Sequence, residues 1–280
     1  MSPSPTFALL QSRSLIAIAG ADWRTFLQGL ITQDVESLKP DEARFGALLT
    51  PQGRVLFDLF VVGRQDGCWL DVLAQHRDAI VQRLMMYRLR AKVELAKDET
   101  PVSILYGDGI DLVAPRGSFV RDPRLPSLGW RGYGATAPVG ARSASEQERD
   151  IAKLRLGVPG PADWGSDKTY SIEANFDLLS GIDFKKGCFV GQETTSRMKR
   201  RGQIKRRMLP IAFEGAPPPY GAEVLAGELR AGEVLSGVEG RAMALLRLDR
   251  LEGASLTVDA RAVTLEPPSW FQEMLGETVV

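Results

Sequence analysis

Short apolar runs, separated by glycine and proline turns, follow one another along this chain of 280 residues. Residues 14–19, 45–50 and 54–63 have the composition of β-strands, and Pro51-Gln52-Gly53 is a turn signal between the last two. Strands this short, interrupted by turns, exclude a long helical bundle and predict a mixed fold in which small sheets pack against helices.

Three helices are predicted among these strands. The first follows the predicted cap Asp22 and carries a core stripe at helical spacing, and the second covers residues 77–89. The third starts at a capping box of Ser145 and Glu148. The stripe consists of Trp23, Phe26, Leu27 and Leu30, and further strands are predicted at 68–73, 91–95 and 102–106. Irregular β structure with short apolar runs, such as 111–114, is expected over 108–140.

The C-terminal part of the chain differs in its sequence pattern from the rest. After three consecutive prolines at 217–219 come several short strand candidates, which predict a small β-barrel. We therefore expect an α+β protein in which residues 1–208 form two α+β subdomains, divided near residue 100, and residues 209–280 form the barrel. The barrel strands are predicted at 223–225, 229–235, 242–248 and 262–265.

Cys188 has the most distinctive local sequence in the chain. It lies in residues 185–193, which we call the signature segment; two lysines precede it and a helix is predicted over 192–201. Backbone N–H groups at a helix start and nearby lysines both favour the thiolate form of a cysteine. The same position suits a small buried residue, because free cysteines are usually packed and inert. The local sequence leaves both interpretations open.

The cations are concentrated between residues 185 and 207. Nine cations and one acid, Glu193, give this stretch a charge of +8, although 35 basic and 35 acidic residues balance in the whole chain. The excess indicates a surface for a polyanionic cofactor tail, RNA or an acidic partner, or else a solvated helix face followed by a basic strand. No aromatic residue lies between Phe189 and Phe213, which argues against a platform for stacking single-stranded bases.

Histidine and cysteine counts exclude several kinds of site. His76 is the sole histidine, which argues against a histidine-based catalytic triad or a zinc site. Cys68 and Cys188 cannot supply four thiolates, so an iron–sulfur cluster would need ligands from a second chain or a small molecule. No metal site of the chain's own is expected.

The length of the apolar runs and the first residues of the chain also predict where the protein is located in the cell. None approaches the roughly 20 residues of a membrane-spanning helix, and residues 1–5 do not resemble a secretory signal. We therefore expect a cytoplasmic protein without a membrane partner.

Asp58 is an unusual acid within the apolar run 55–62. If buried, it must be paired, hydrogen-bonded or protonated. It could equally face outward, because successive strand residues alternate between faces.

Five blocks of this sequence carry a family resemblance. The signature segment resembles that of the YgfZ family of folate-binding proteins, relatives of the glycine cleavage T-protein. The other four blocks are residues 26–35, 48–58, 172–177 and 237–248.

The resemblance implies a T-protein-like fold of three subdomains around a central cavity that binds tetrahydrofolate. It also implies a role in assembling or repairing iron–sulfur proteins, including enzymes that modify tRNA, with iron–sulfur client or assembly proteins as partners. Cys188 would be a transient ligand or redox group, and Asp58 a second functional residue. The implied folate contacts are Gln28, Asp34, Asp58, Glu173, Asn175, Lys186, Gln192, Glu193 and Arg197.

Two departures from T-protein relatives argue against a classical aminomethyltransferase. Those relatives have paired acids where this chain has Phe57-Asp58, and a pterin-binding glutamate where it has Arg155. The first alternative is still a folate-dependent one-carbon transferase in which Asp58 orients the folate amine. The second alternative, direct RNA binding, rests on the basic stretch alone and is the least favoured. The sequence does not fix the oligomeric state.

Overall fold

The computed structural model describes residues 4–108, 110, 117–200 and 204–276. The chain forms two compact units, each built from two stretches of sequence. Unit 1 comprises Met1–Arg149 and Leu179–Gln192, and unit 2 comprises Asp150–Leu178 and Glu193–Val280. The expected division at residues 100 and 208 stays a prediction about domain organisation.

The strands of unit 1 form two sheets. The first sheet has the order β3-β4-β5-β2-β6 and is antiparallel throughout. The second has the order β10-β1-β7-β9-β8, with β10 parallel to β1. The strands are β1 (Thr6–Leu9), β2 (Arg13–Ala19), β3 (Ala43–Leu49), β4 (Val55–Arg64), β5 (Gly67–Leu73), β6 (Glu94–Asp98), β7 (Val102–Tyr106), β8 (Phe119–Arg121), β9 (Trp130–Tyr133) and β10 (Arg142–Ser143).

Unit 2 contains a closed six-stranded barrel with the order β11-β14-β13-β12-β15-β16. The predicted C-terminal barrel is thus confirmed, and every described pairing within it is antiparallel. Its strands are β11 (Arg206–Ala212), β12 (Glu223–Ala226), β13 (Leu229–Val238), β14 (Arg241–Arg247), β15 (Leu256–Val258) and β16 (Arg261–Leu265).

Six helices accompany the strands in the described part of the chain. They are α1 (Trp23–Gln28), α2 (Arg77–Arg88), α3 (Glu146–Arg155), α4 (Pro161–Trp164), α5 (Gln192–Arg200) and α6 (Ser269–Gly276). Short 3₁₀ turns occur at Ala74–His76, Pro126–Leu128 and Leu248–Arg250.

The first sheet buries one face against α1 and α2. Leu59 on β4 and Leu70 on β5 are completely buried there, together with Leu27 of α1 and Ile80 of α2. Strand residues alternate between faces, so this arrangement sends Asp58, Phe60 and Asp71 to the opposite face of the same sheet. Alternation therefore places two acids where the first sheet meets the second.

Some local predictions differ from the structure, and one is confirmed. The Asp22 side chain makes no capping bond to α1; its carboxylate accepts the backbone N–H of Lys92 at 2.7 Å instead. The strand expected at 91–95 begins at Glu94. The capping box of Ser145 and Glu148 is present, with Glu148 N–H donating to Ser145 Oγ at 3.1 Å. The apolar run 111–114, expected within irregular β structure, lies outside the described residues.

Candidate functional site

The chain approaching Cys188 is fixed by a turn within unit 1. The Asp183 carboxylate accepts hydrogen bonds from the backbone N–H groups of Lys185 at 2.7 Å and Lys186 at 3.2 Å. The N–H of Asp183 donates to the Thr32 carbonyl at 3.0 Å. These bonds hold the start of the signature segment against the chain that follows α1.

The ammonium of Lys186 binds that same part of the chain. Its Nζ donates to the carbonyl oxygens of Gln28, Ile31 and Gln33 at 2.7, 2.8 and 2.7 Å. Carbonyls at a helix end lack partners within the helix, so a cation there satisfies them. Burial lowers the pKa of Lys186 to about 8, against the opposing effect of Asp34. The side chain is therefore charged at pH 7 with all three donors in use, and its predicted contact to a ligand would require it to release a carbonyl.

Gly191 holds the other end of the signature segment against the turn between β3 and β4. Its φ is +83°, and a Cβ placed there would lie 2.6 Å from the Thr50 carbonyl oxygen and 3.1 Å from the Gly53 Cα. A side chain at this position therefore meets both backbone strain and a close contact. The sequence blocks 26–35 and 48–58 and residues 185–192 of the signature segment thus come together in unit 1.

Cys188 lies between these two anchors with an exposed side chain. The neighbouring Phe189 ring is buried, and the N–H of Val190 donates to the Gly29 carbonyl at 3.2 Å. Cys68, in contrast, is 1% exposed in the core of unit 1, and burial raises the pKa of its thiol. The expectation of a buried Cys188 is therefore wrong, and a fixed backbone presents its thiol to solvent; its reactivity stays a prediction.

Helix α5 begins at Gln192, as the sequence predicted, four positions after the cysteine. Its last described residue is Arg200, and the predicted end at 201 lies outside the described residues. Glu193 and Arg197 are exposed on this helix. Their folate contacts, and that of Gln192, stay predictions.

The basic stretch 185–207 does not form a single free cationic surface. Besides Lys186, it contains Arg207, which is 1% exposed and pairs with Asp177 through two bonds of 2.5 and 2.8 Å. Arg206 pairs with Glu173 at 2.7 Å. Three of the nine cations therefore stabilise local structure.

Gln28 and Asp34 also bind each other. The Gln28 amide donates to Asp34 Oδ1 at 2.9 Å and accepts the N–H of Val35 at 2.8 Å. Arg44 lies 3.2 Å from Asp34 Oδ2. Burial alone would raise the pKa of Asp34, but hydrogen bonds from Ser37 and Gln28 outweigh it and lower the pKa to about 2. The two predicted ligand contacts thus stabilise the loop after α1.

Asp58 is buried and paired on the second face of the first sheet. Its Oδ2 lies 2.9 Å from Arg13 Nη1, and Arg13 Nε lies 2.7 Å from Asp71 Oδ1. Burial would raise the pKa of Asp71, but Arg13 and Arg131 hold it below its usual range. Of the possibilities left by the sequence, Asp58 takes the buried, ion-paired one; its folate contact stays a prediction.

Side chains from β9 and from the chain between β8 and β9 complete this buried network. Arg131 Nη2 lies 2.5 Å from Asp71 Oδ2, and the Tyr133 hydroxyl donates to the same oxygen at 3.0 Å. Burial raises the pKa of Tyr133, which keeps the phenol protonated as a donor. Arg124 pairs with Asp122 at 2.7 Å, and Arg131 lies 3.6 Å from Asp122.

This network was missed by sequence reasoning apart from Asp58. Its three arginines and three aspartates balance in charge, and Phe60 lies under the guanidinium of Arg131 at 3.8 Å from the ring centroid. The available signal was an acid within an apolar strand, at Asp71 as well as at Asp58. Through Asp71 on the first sheet and Arg131 on the second, the network connects the two sheets of unit 1. Removing one partner of such a buried pair is costly, because it leaves an uncompensated charge.

In unit 2, Glu173 and Asn175 bind the first barrel strand. Arg206 Nε donates to Glu173 Oε1 at 2.8 Å. Asn175 has a φ of +61°, is completely buried, and donates from Nδ2 to the Met208 carbonyl at 2.7 Å. Arg155, where the resemblance implied the pterin-binding position, is exposed at the end of α3. The folate contacts of Glu173 and Asn175 stay predictions.

The described residues contain neither a cluster of metal-binding side chains nor a membrane-spanning helix. Within them, no group of three or more histidine, cysteine, aspartate or glutamate side chains could hold a metal ion. No helix in the same part of the chain is long and apolar enough to cross a membrane.

A family model for the CAF17 C-terminal β-barrel domain matches residues 205–273, which contain all six barrel strands. The solved structure of glycine cleavage system aminomethyltransferase T from Bartonella henselae has the same fold, with a TM-score of 0.78 over 96% of this chain and 86% of that chain. At 17% identity this likeness establishes the fold alone. The T-protein-like α+β fold expected from the sequence is thereby confirmed.

Sequence relatives extend over most of the chain. The iron–sulfur cluster assembly factor IBA57 homologue of Pyricularia oryzae is 30% identical over 89% of this chain and 74% of its own length. The homologues of Phaeosphaeria nodorum and Mycosarcoma maydis are 34% and 30% identical over 74% and 76% of this chain. The chain spans only 55% and 59% of the lengths of these two relatives. All three are named as mitochondrial proteins, so the expectation of a cytoplasmic location is wrong.

Proposed function

Because this chain belongs to the family of the iron–sulfur cluster assembly factor IBA57 homologues, we propose that it assists the assembly of iron–sulfur proteins. The expectation of the YgfZ family is corrected to this family. The proposal that tRNA-modifying enzymes are among the clients still rests on the sequence resemblance.

The exposed thiol of Cys188 carries the proposal. Thiolates are the usual protein ligands of iron–sulfur clusters, and this thiol is both accessible and held on an anchored backbone. Cys68 cannot take the same part without exposure of the core, because it is buried among apolar residues. Cys188 therefore supplies one ligand to a cluster that passes through the protein as cargo.

One thiolate leaves the cluster with unfilled ligand positions, because a standard two-iron or four-iron cluster takes four. The chain contains two cysteines in all. The remaining ligands come from a partner protein or from a small thiol such as glutathione. A shared cluster of this kind suits transient transfer, since either molecule can release its ligands.

Tetrahydrofolate is the proposed small-molecule ligand. The resemblance to folate-binding proteins and the T-protein-like fold support it. Asp58, one of the acids proposed to contact it, is already paired with Arg13 at 2.9 Å. The pair fixes the position of this carboxylate, whose oxygens can accept N–H groups of a pterin ring. Calorimetric titration with tetrahydrofolate, on the wild type, Asp58→Asn and the control Asp66→Asn, tests this; heat unchanged in Asp58→Asn contradicts the Asp58 contact.

Cluster binding is tested on the purified chain under anaerobic conditions with iron, sulfide and glutathione. We expect the wild type and Cys68→Ala to retain a cluster through gel filtration, detected by its visible absorbance and Mössbauer spectrum. Cys188→Ser is expected to lose it. Equal retention by Cys188→Ser contradicts the assignment of Cys188 as ligand.

The resemblance to an aminomethyltransferase fold keeps one-carbon transfer as the second candidate. Its test is turnover with tetrahydrofolate and an aminomethyl donor. We expect none above background, because the paired acids of T-protein relatives are reduced here to Asp58.

A further inference from the structure

Arginines from three barrel strands meet at one end of the barrel in unit 2. Antiparallel neighbours alternate in direction, so the start of β11, the end of β14 and the start of β13 lie together. Arg206 lies at the start of β11, Arg247 at the end of β14, and Arg230 next to the start of β13. The register places Arg206 directly opposite Arg247.

These residues line a groove of about 390 Å³. Five cations and one acid give the lining a net charge of +4: Lys205, Arg206, Arg230, Arg247, Arg250 and Glu233. Gly232 also lines the groove, and a Cβ there would lie 2.2 Å from the Leu245 carbonyl oxygen of the neighbouring strand. The groove therefore has a predominantly cationic lining.

The pairing of Arg206 with Arg247 opposes folding. Like charges directly opposite each other on neighbouring strands are destabilising. Each guanidinium is held by an acid, with Arg206 2.7 Å from Glu173 and Arg247 2.8 Å from Asp249. A locally unfavourable arrangement of this kind is expected where binding needs it.

Arg230 is one of the cations that a ligand can reach. Its side chain is 56% exposed, and its contacts to Glu223 and Glu233 are both 3.4 Å long. Exposed ion pairs of this length contribute little, so an incoming carboxylate displaces them at small cost. The guanidinium forks of Arg230 and Arg247 suit two-point binding of carboxylates.

We propose that this groove binds an acidic segment of a partner protein. The cations supply the charge complement, and Leu245 in the lining offers a contact for an apolar side chain next to the acids. RNA is disfavoured because none of the described lining residues is aromatic, so the groove offers no aromatic ring for bases to stack on. This site does not involve Cys188, and its test does not depend on cluster binding.

The test is fluorescence anisotropy of the full chain with a labelled peptide of six glutamates and two leucines. A labelled single-stranded RNA of equal charge is measured in parallel. We expect the peptide to bind, with an affinity that falls as salt rises. Arg230→Glu should weaken binding about tenfold or more, the factor that corresponds to one lost charge-assisted pair.

Arg142→Glu is the matched control, because Arg142 is also 56% exposed and pairs with a glutamate, Glu148, at 2.8 Å. It should leave peptide affinity unchanged. Lys205→Glu repeats the test if Arg230→Glu does not fold, as judged by circular dichroism. No peptide binding, equal affinity in the groove variants, or tighter binding of RNA than of peptide overturns the proposal.

Discussion

The Nζ of Lys186 lies 2.7 Å from the carbonyl oxygen of Gln28, a residue 158 positions earlier in the chain. Through this bond and those to Ile31 and Gln33, the signature segment is attached to the chain that follows α1. The position of Cys188 therefore depends on a lysine two residues away that makes no bond to the thiol itself.

Lys186→Met should lower the free energy of unfolding by about 2–4 kcal/mol, because three carbonyls lose a charged donor. Lys185→Met is the control, because Lys185 is exposed and its backbone N–H, not its side chain, donates to Asp183. Its free energy of unfolding should change by no more than about 0.5 kcal/mol. Urea denaturation of both variants at pH 7 measures the difference. Similar losses in the two would contradict the role given to the ammonium.

Gly191→Ala should destabilise the chain by about 1–3 kcal/mol, since φ is +83° and the new Cβ meets the Thr50 carbonyl. It should also change the rate at which Cys188 reacts with a disulfide reagent. Gly187→Ala is the control within the same segment, because a Cβ there has no atom within 4 Å and its φ is not in the left-handed region. Unfolding and thiol kinetics that match in the two variants would refute the anchoring of the segment by Gly191.

Asp34 should make stability depend on acidity. Its folded pKa of about 2 is below the ordinary value of 3.8. The stabilisation is therefore complete above pH 4 and is lost as the pH falls towards 2. Asp34→Asn should cost about 1 kcal/mol at pH 7 and almost nothing at pH 2, after allowance for solvent screening. Chemical denaturation across this range measures the cost, and a cost that does not vary with pH would exclude the assignment.

Arg131→Met should lower the free energy of unfolding by about 3–5 kcal/mol, because it leaves Asp71 buried with one cation fewer. Arg142→Ala, which removes an exposed pair with Glu148, should cost less than about 1 kcal/mol. Thermal and chemical unfolding compare the two. Equal costs would show that the buried network does not stabilise unit 1.

Local sequence patterns predicted most strands and helices because the signals lie within each element. The stripe of Trp23, Phe26 and Leu27 and the turn before β4 both depend on neighbouring residues. Strand β15 has three residues, too few for a clear alternation, and it was not predicted. Helix α6, which follows Pro267-Pro268, was also missed.

The partners within the candidate site could not be predicted from local patterns. Arg13 reaches Asp71 across 58 positions, and Arg131 reaches it across 60. The sequence marked Lys186 as a cation near a thiol, but its three acceptors are backbone carbonyls, which no side-chain pattern reveals. Cys188 was identified because its motif is contiguous, whereas its exposure depends on the packing of Phe189 and Gly191.

The most direct test of the account is the activity of iron–sulfur enzymes in cells from which the gene for this chain is deleted. The wild type and Cys68→Ala should restore the activity of an iron–sulfur enzyme. Cys188→Ser, expressed to the same level, should not restore it, because it lacks the proposed cluster ligand. Full restoration by Cys188→Ser would contradict the central claim that this exposed thiol serves iron–sulfur assembly.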